Sequence, residues 1–423
     1  MTLRHPFSFA AVLLLSVGIA SAADPTPEAV LDAYGDIAAA MYEDALAGAR
    51  NLKTAIDALL ADPTDATLAA AREAWKASRP PYMQTEGYRF GNAVVDEWEG
   101  RVNAWPLDEG LIDYVDTAHY GETSEENPLY TANVIASTKL RIGPDEVDAT
   151  TIDGRLLDTL QEALGVEANV ATGYHAIEFL LWGQDLNGTG PGAGARPATD
   201  FSLSACTNGN CDRRRAYLTV VTDRLISDLE EMAASWREGG AARQELAAKG
   251  PEGGLSTILT GLGSLSYGEL AGERIELGLL LHDPEEEHDC FSDNTHNSHY
   301  YDQVGMIAIW RGRYTRTDGS VIEGPSIAAL AAARDAAAAG RVDDAMATTL
   351  ARLQVLKDTA DSGEMAYDRM IAAGNEKGNA IVQDVVDALV AQTRAIEGVV
   401  AALGLTVAVE GSDSLDNPEA VAR

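Results

Sequence analysis

Residues 173–185 read Gly-Tyr-His-Ala-Ile-Glu-Phe-Leu-Leu-Trp-Gly-Gln-Asp, which indicates a buried helix carrying two polar side chains. His175 and Glu178 are three residues apart, so both project from one face of a helix. Nearly all of their neighbours are apolar, as is typical of a helix buried on every side. A buried imidazole and a buried carboxylate need partners or a metal ion, because burying them unpaired is costly. Two interpretations remain open: a structural His–Glu pair that joins helices, or a metal or ligand site.

The pattern around this stretch is helical along almost the whole chain of 423 residues. Ala, Leu, Glu and Arg predominate, and alternating runs of β-branched residues are scarce. We therefore predict an all-α fold. The predicted helices are 27–61, 66–78, 167–182, 213–248, 254–281 and 326–403, the last broken near Gly340, Gly363 and Gly374, while 91–153 and 282–303 are predicted to be irregular.

A Gly- and Pro-rich stretch, residues 188–210, marks the best domain boundary. The predicted units are a signal peptide (1–22), an N-terminal helical domain (23–205), a C-terminal helical domain (206–410) and a disordered acidic tail (411–423). A weak internal similarity lays 175–181 over 273–279, or alternatively 87–90 over 272–275. Either alignment favours a duplicated four-helix-bundle-like unit, with chance similarity between short apolar helices as the alternative.

The first 22 residues have the composition of a secretory signal. Arg4 and His5 precede an apolar run at 7–19, and Ala-Ser-Ala at 20–22 offers a cleavage site. No later segment reaches the roughly 18 apolar residues that a spanning helix needs. We therefore expect a protein of the periplasm or cell surface that starts near Ala23 and is not inserted in the membrane after signal cleavage.

The formal net charge is -35, from 66 acidic and 31 basic residues. Such a chain repels phosphate backbones and anionic lipid surfaces, which argues against nucleic-acid binding. The same charge concentrates cations near the surface, although solubility alone would also explain it.

The chain has three cysteines, and their spacing favours a disulfide over a zinc site. Cys206 and Cys211 flank a four-residue loop that can close in an oxidising compartment. A zinc site is less favoured because no second cysteine pair exists. Cys290 is left over, either as a buried thiol or as a soft ligand.

His175 and Glu178 supply two metal ligands at most, whereas iron, zinc and copper sites usually need three or more. Glu273 and Glu276 are the first further candidates, because helical bundles build carboxylate–His sites from facing helices. Glu86 is the next. We expect these groups to meet at the seam between the bundles. Ion pairs with Arg79, Arg89 or Arg274 are the alternative use of these carboxylates.

A second histidine-rich stretch lies at residues 282–299, which hold four of the seven histidines of the chain. His282, His288, His296 and His299 alternate with Asp and Glu residues, a mixture that suits divalent or ferric ions. The alternative is a solvated acidic loop whose Asp and Asn residues cap turns.

The Gly173-x-His175-x-x-Glu178 pattern resembles the signature of the imelysin family. Two further blocks, 79–90 running on to 103–110 and 282–296, are similar to iron-regulated members of that family. The resemblance implies two helical bundles, export, an association with iron uptake, and the family's older classification as metallopeptidases. The residues expected to bind ligand are Arg79, Tyr82, Arg89, Arg274, His282, His288 and His296.

We therefore expect an exported iron-associated protein that binds a metal ion or an iron chelate, or that meets a membrane iron-uptake component. Iron is the expected ion, with zinc and copper as alternatives. A metallopeptidase is the second hypothesis, but Phe179 stands where a His-x-x-Glu-His motif needs its second histidine, and no catalytic residue is assigned. A non-catalytic surface interaction protein with a structural His–Glu pair is the third.

Overall fold

A computed structural model describes residues 25–421, so the predicted signal peptide at 1–22 lies outside the described residues. The α-helices are α1 Pro27–Ala61, α2 Asp65–Met83, α3 Ala93–Glu99, α4 Thr117–Tyr120, α5 Gly154–Leu160, α6 Gly173–Trp182, α7 Cys211–Ser235, α8 Ala241–Ala248, α9 Gly250–Ser264, α10 Leu277–Leu281, α11 Thr295–Arg311, α12 Ile327–Arg334, α13 Ala336–Asp361, α14 Tyr367–Ile371, α15 Glu376–Leu403, α16 Asp413–Asp416 and α17 Pro418–Val421. A π-helix, Leu265–Glu276, joins α9 to α10. The antiparallel hairpins are β1 Lys139–Ile142 with β2 Asp145–Asp148, and β3 Arg313–Thr315 with β4 Val321–Glu323. The predicted all-α class is confirmed.

The first bundle is built from α1, α2, α6 and α7. Its centre is aromatic: Trp75 donates its indole N–H to the carbonyl of Tyr174 at 3.0 Å, and its ring meets Trp182 edge-on at 5.4 Å. The long helix α7 packs along α1, where Arg50 and Glu230 pair at 2.6 Å. The predicted boundary at residue 206 therefore does not separate the two bundles, because α7 completes the first one.

The second bundle combines α9 and the π-helix with α11, α13 and α15. A buried polar contact crosses it, in which the amides of Gln303 and Gln392 meet at 2.8 Å and Ser266 donates to the carbonyl of Leu389 at 3.1 Å. Since each of these buried polar groups has a partner, the contact fixes the relative position of three helices.

Several predicted helix ends differ from the structure for local reasons. Helix α2 continues through Pro80 and Pro81, because burying Tyr82 and Met83 in the core offsets the lost backbone hydrogen bonds. The predicted helix 213–248 is interrupted between α7 and α8, where Gly239 has a φ of +76°. The stretch 282–303 is irregular only to residue 294, and α11 begins at Thr295. In the last segment the first break falls at Asp335, not at Gly340, which lies inside α13.

The tail from residue 411, predicted to be disordered, instead packs on the π-helix. Ser412 and Ser414 are buried, the backbone N–H of Glu410 donates to Ser264 at 3.0 Å, and Tyr267 donates to Asp416 at 2.7 Å. Two glycines of the π-helix admit the tail at close range: Gly268 lies against the backbone of Glu410, and Gly272 lies against the side chain of Ser412. The acidic composition of the tail did not reveal this docking.

Among residues 25–421, none of the helices combines the length and apolar character required for a membrane span.

Candidate metal centre

Helix α6 owes its position to the glycine that precedes its polar pair. Gly173 has a φ of +83°, a conformation that favours glycine, and a Cβ at this position would clash with the carbonyl of Val102. The following N–H, of Tyr174, donates to that same carbonyl at 2.8 Å. This close approach starts the helix at 173, not at the predicted 167, and fixes the direction in which His175 points.

His175 and Glu178 form the predicted buried pair. The imidazole Nδ1 of His175 lies 3.0 Å from Oε2 of Glu178, and the side chains are 1% and 0% exposed. The other carboxylate oxygen of Glu178 accepts the backbone N–H of Ser292 at 3.0 Å. Glu178 therefore connects α6 of the first bundle with the segment that leads into the second.

That segment, residues 287–294 between α10 and α11, brings two further donors to His175. The ring of His288 lies 4.7 Å from the ring of His175, and one donor atom from each of His175, His288 and Asp289 lies within 4.8 Å of the others. All three residues are buried. Two imidazoles and one carboxylate are a ligand set that non-haem iron commonly uses in proteins.

Asp289 is held firmly by its neighbours. One oxygen accepts from Arg79 at 3.0 Å, and the other accepts from Asn294 at 2.9 Å and from Ser298 at 2.5 Å. Arg79 also donates to Asn103 at 2.7 Å. A carboxylate oxygen has two lone pairs, so these contacts leave acceptor capacity for a metal ion.

Several buried imidazole nitrogens at this site lack partners. Nε2 of His175, Nδ1 of His288 and both ring nitrogens of His299 make no well-formed hydrogen bond with the described residues. The rings of His288 and His299 lie 6.4 Å apart. An unsatisfied buried polar atom needs a compensating ligand, ion or water, so these orphaned nitrogens fit a metal-binding role.

The electrostatics keep the imidazoles neutral and the Asp289 carboxylate charged. Burial, and then the charge of Arg79, lowers the pKa of His175 to about 3, and burial lowers the pKa of His288 well below its ordinary value. Burial alone would raise the pKa of Asp289, but the Arg79 guanidinium holds it below the usual range. Neutral imidazole and ionised carboxylate are the forms that bind metal.

Burial, and then the neighbouring Asp289 charge, raise the pKa of Glu178 well above its ordinary value. The 3.0 Å contact between Glu178 and Nδ1 of His175 is a hydrogen bond whose proton lies either on the carboxyl group or on Nδ1. When that proton sits on Nδ1, the lone pair of His175 Nε2 is free for a metal ion, and the carboxylate orients the ring from behind.

The predicted ligand Glu86 is used in a separate ion-pair network. Its carboxylate lies 2.6 Å from Arg274, which also pairs with Glu269 at 2.7 Å and with Asp302 at 3.4 Å. Arg89 joins this network through Glu269 at 3.3 Å. The network explains Glu86, Arg89 and Arg274 as charges that neutralise one another where the π-helix and α11 meet the first bundle.

Glu273 and Glu276, the other predicted ligands, are not among the donors that converge on His175. Glu273 is exposed on the π-helix. Glu276 is half-buried, and burial and the charge of Asp387 raise its pKa to about 7. The segment that aligned with 175–181 begins in the structure within the π-helix, which ends at Glu276, so it is not a second copy of helix α6.

The remaining predicted ligand-binding residues have diverse environments. Tyr82 is buried with its ring 5.0 Å from that of Tyr174. His282 places Nδ1 2.7 Å from the carbonyl of Ile371, a structural contact. His296 places Nε2 3.0 Å from Asp361. Arg79 and His288 are the two that the structure brings to the centre.

Sequence reasoning did not single out Asp289 as a member of the cluster, although it lies beside His288 in the predicted histidine-rich stretch. The acidic side chains of that stretch are too numerous for one to stand out. The stretch contains two adjacent His-Asp pairs, His282-Asp283 and His288-Asp289, so the sequence alone gave no signal that singled out Asp289.

Away from the centre, Cys206 and Cys211 are joined by the disulfide that their spacing predicted, with Cα atoms 5.9 Å apart. Cys290 is a free thiol. Neither the disulfide nor the Cys290 thiol belongs to the His175 cluster.

Comparison with known proteins is consistent with this architecture. The family model described as imelysin (Peptidase_M75) matches residues 38–396. Iron-regulated protein A of Synechococcus elongatus is 24% identical over 289 residues, which cover 66% of this chain. The alignment spans 62% of the length of that relative.

Two solved structures share the fold. An iron-regulated protein A-like precursor from Parabacteroides distasonis superposes with a TM-score of 0.61 at 16% identity, over 90% of this chain and 97% of the other. An imelysin-like protein from Psychrobacter arcticum gives a TM-score of 0.58 at 16% identity, over 91% and 98%. At this identity the likeness establishes the fold alone.

Proposed function

Because this chain belongs to the imelysin family, we propose that it is an exported, iron-associated protein that binds iron, or an iron-bearing ligand, between its two bundles. The proposed ligands are His175, His288 and Asp289. The single observation that carries the proposal is their convergence: three buried donors lie within 4.8 Å of one another, and two of the imidazoles have an unpartnered nitrogen.

The ligand types of this cluster, two neutral imidazoles and one ionised carboxylate, suit an iron ion. Neutral imidazoles and an ionised carboxylate suit iron, zinc and copper, and the two-His, one-carboxylate combination favours ferrous iron. Donors on one tetrahedral ion with bonds of about 2.1 Å are roughly 3.4 Å apart, so loading would draw these side chains slightly inward. Arg79 offsets part of the negative charge near Asp289.

Binding accounts for Glu178 better than proteolysis does. A zinc peptidase needs a carboxylate free to activate water as a general base. Both oxygens of Glu178 are engaged, one by His175 and the other by the N–H of Ser292. We therefore assign Glu178 to orienting His175, and we do not propose a catalytic residue.

Export is part of the same proposal and rests on two supports. One is the secretory composition of residues 1–22. The other is the Cys206–Cys211 disulfide, which is typical of oxidising compartments. We also propose a role in iron uptake, with a membrane component as partner, on the strength of the family resemblance.

A metal titration tests the proposal. Metal-free protein would be titrated with ferrous, zinc and copper ions while bound metal and thermal unfolding are measured. We expect one ion per chain and stabilisation of about 2.7 kcal/mol at a hundredfold excess over Kd. His175→Ala and His288→Ala should each abolish this binding, whereas the control His119→Ala removes an exposed histidine on α4 and should bind as before. Equal binding by His175→Ala and the unaltered protein would overturn the proposal.

A further inference from the structure

A large cleft lies between the two bundles beside the His175 cluster, with a volume of about 690 Å³. Helix α2 of the first bundle forms one wall, and the start of α11, the end of α13 and α14 form the other. Asn294 lines the cleft and donates to Asp289 at 2.9 Å. Asn294 therefore connects the cleft directly to Asp289, one of the proposed metal ligands.

Two basic side chains line opposite walls of this cleft, and neither has a carboxylate oxygen of the described residues within 4.0 Å. Lys76 belongs to the first bundle and Arg369 to the second, and both line the cleft. Neither forms an ion pair within 4.0 Å in the part of the chain that the structure describes. Glu73, Asp293 and Asp361 also line the cleft, so Lys76 and Arg369 stand out by their position on opposite walls and not by an excess of positive charge.

The N-terminus of α11 opens into the same cleft. The side chain of its N-cap residue, Asn294, is directed to Asp289 and Asn297 and makes no capping hydrogen bond. The N–H of Asn297 donates to the carbonyl of Asn294 at 2.9 Å, so within the described residues the first-turn amides left for another acceptor are those of Thr295 and His296. Oriented amides and the helix dipole favour an anion at such a position.

His296 supplies a further polar group without a partner. It lines the cleft, is 7% exposed, and its Nδ1 makes no hydrogen bond with the described residues. Its Nε2 lies 3.0 Å from Asp361, whose negative charge is also met by Lys357. Of the other acidic groups here, Glu73 is exposed at the rim, and burial raises the pKa of Asp293 to about 6.

From these features we propose that the cleft binds a small polycarboxylate, held by Lys76 from one bundle and Arg369 from the other, with one carboxylate at the first turn of α11. A ligand with at least two carboxylates matches two cations on facing walls. The inference deepens the proposed function and rests on it in one respect: the polycarboxylate would be the anionic part of the iron-bearing ligand. The anion site itself requires no metal.

Calorimetric titration of metal-free protein with citrate, after removal of chelator by desalting, tests the inference. We expect one citrate per chain. Lys76→Met and Arg369→Met should each weaken binding about tenfold, the loss expected for one charge-assisted hydrogen bond. Both variants should melt within a few degrees of the unaltered protein, because neither side chain has an ion pair to lose and the contact of Lys76 with the Trp182 ring is long, at 5.8 Å. The matched control Arg334→Gln removes an exposed arginine on α12, outside the cleft, and should bind citrate normally.

Three outcomes would overturn the inference: no citrate binding, equal affinity in the Lys76→Met/Arg369→Met double variant, or acetate binding as tightly as citrate. The His175→Ala variant separates this inference from the metal proposal. We expect His175→Ala to lose the metal ion and keep citrate. Metal binding without citrate binding would refute the polycarboxylate cleft alone, and citrate binding without metal binding would refute the metal centre alone.

Discussion

The guanidinium of Arg79 lies 3.0 Å from the carboxylate of Asp289, an ion pair between fully buried residues that are 210 positions apart in the sequence. Arg79 is on α2 of the first bundle, and Asp289 lies in the segment that leads into α11 of the second. The pair therefore closes the seam between the bundles at the point where the proposed metal ligands converge. Its charges would be very costly if either were buried alone.

Removing one member of this pair should destabilise the fold strongly. We expect Arg79→Met to lower the free energy of unfolding by about 3–5 kcal/mol, because Asp289 would remain buried with an unpaired charge. The Arg79→Met/Asp289→Asn double variant should be less destabilised than the sum of the single variants, since the charge is then removed with its partner. Urea denaturation of the four proteins measures this coupling, and simple additivity would contradict it.

Glu178 should control metal affinity through His175. We expect Glu178→Gln to weaken the affinity for the metal ion about 10- to 100-fold. This is the effect of losing a carboxylate that orients a ligating imidazole. Glu276→Gln is the matched control, because Glu276 is a half-buried carboxylate that does not reach the cluster. Competition against a metal-binding dye gives both affinities. A comparable loss of metal affinity in Glu276→Gln would indicate that Glu276 is a metal ligand, as the sequence predicted.

The buried imidazoles should make stability fall in mild acid. Burial, and then the charge of Arg274, lowers the pKa of His299 to about 3, below the ordinary value of about 6.5. The unfolded chain binds the proton more readily, so this contribution to stability is complete above about pH 6.5 and is lost as the pH falls towards 3. Between pH 7 and pH 5 the loss is about 2 kcal/mol.

The comparison that isolates this effect uses His299→Leu. Between pH 7 and pH 5 the free energy of unfolding of this variant should fall by about 2 kcal/mol less than that of the unaltered protein. His119→Leu alters an exposed histidine and should follow the unaltered protein. Chemical denaturation at pH 7 and pH 5 measures the difference. Parallel pH profiles for His299→Leu and the unaltered protein would show that the ring is not held neutral by burial.

A methyl group added to the π-helix at Gly272 should release the C-terminal tail from that helix. A Cβ added at Gly272 would clash with Ser412, so Gly272→Ala should displace residues 411–421 from the π-helix. Gly340→Ala is the control, because a Cβ there meets nothing within 4 Å, and alanine in the second turn of α13 should stabilise the helix by up to about 1 kcal/mol. Limited proteolysis followed by mass spectrometry reports tail cleavage. Equal protection of the tail in both variants would contradict this docking.

Export predicts the mass of the mature chain. We expect the form recovered outside the cytoplasm to begin near Ala23 and to carry Cys206 and Cys211 as a disulfide. Intact mass without reduction, followed by peptide mapping, determines both features. Retention of residues 1–22 in the recovered protein would contradict the proposed export.

Much of the fold was open to prediction because helical periodicity is a local property. The first helix, 27–61, was predicted with the bounds that the structure has, since its apolar stripe is bounded by a proline near its start and by Asp62-Pro63 at its end. The helix ends that were misplaced depend on packing. Helix α2 passes two prolines only because the core accepts Tyr82 and Met83 beyond them.

The sequence by itself determined the helical class, the disulfide pairing and the buried pair of His175 with Glu178, because each depends on residues a few positions apart. Tertiary structure decided which donors complete the site. Asp289 and His288 reach His175 from over 100 positions away, while Glu86 is taken by Arg274. A carboxylate's role is set by the nearest opposite charge or ligand in space, and the electrostatic energy that decides it depends on distance and burial, which sequence spacing does not contain.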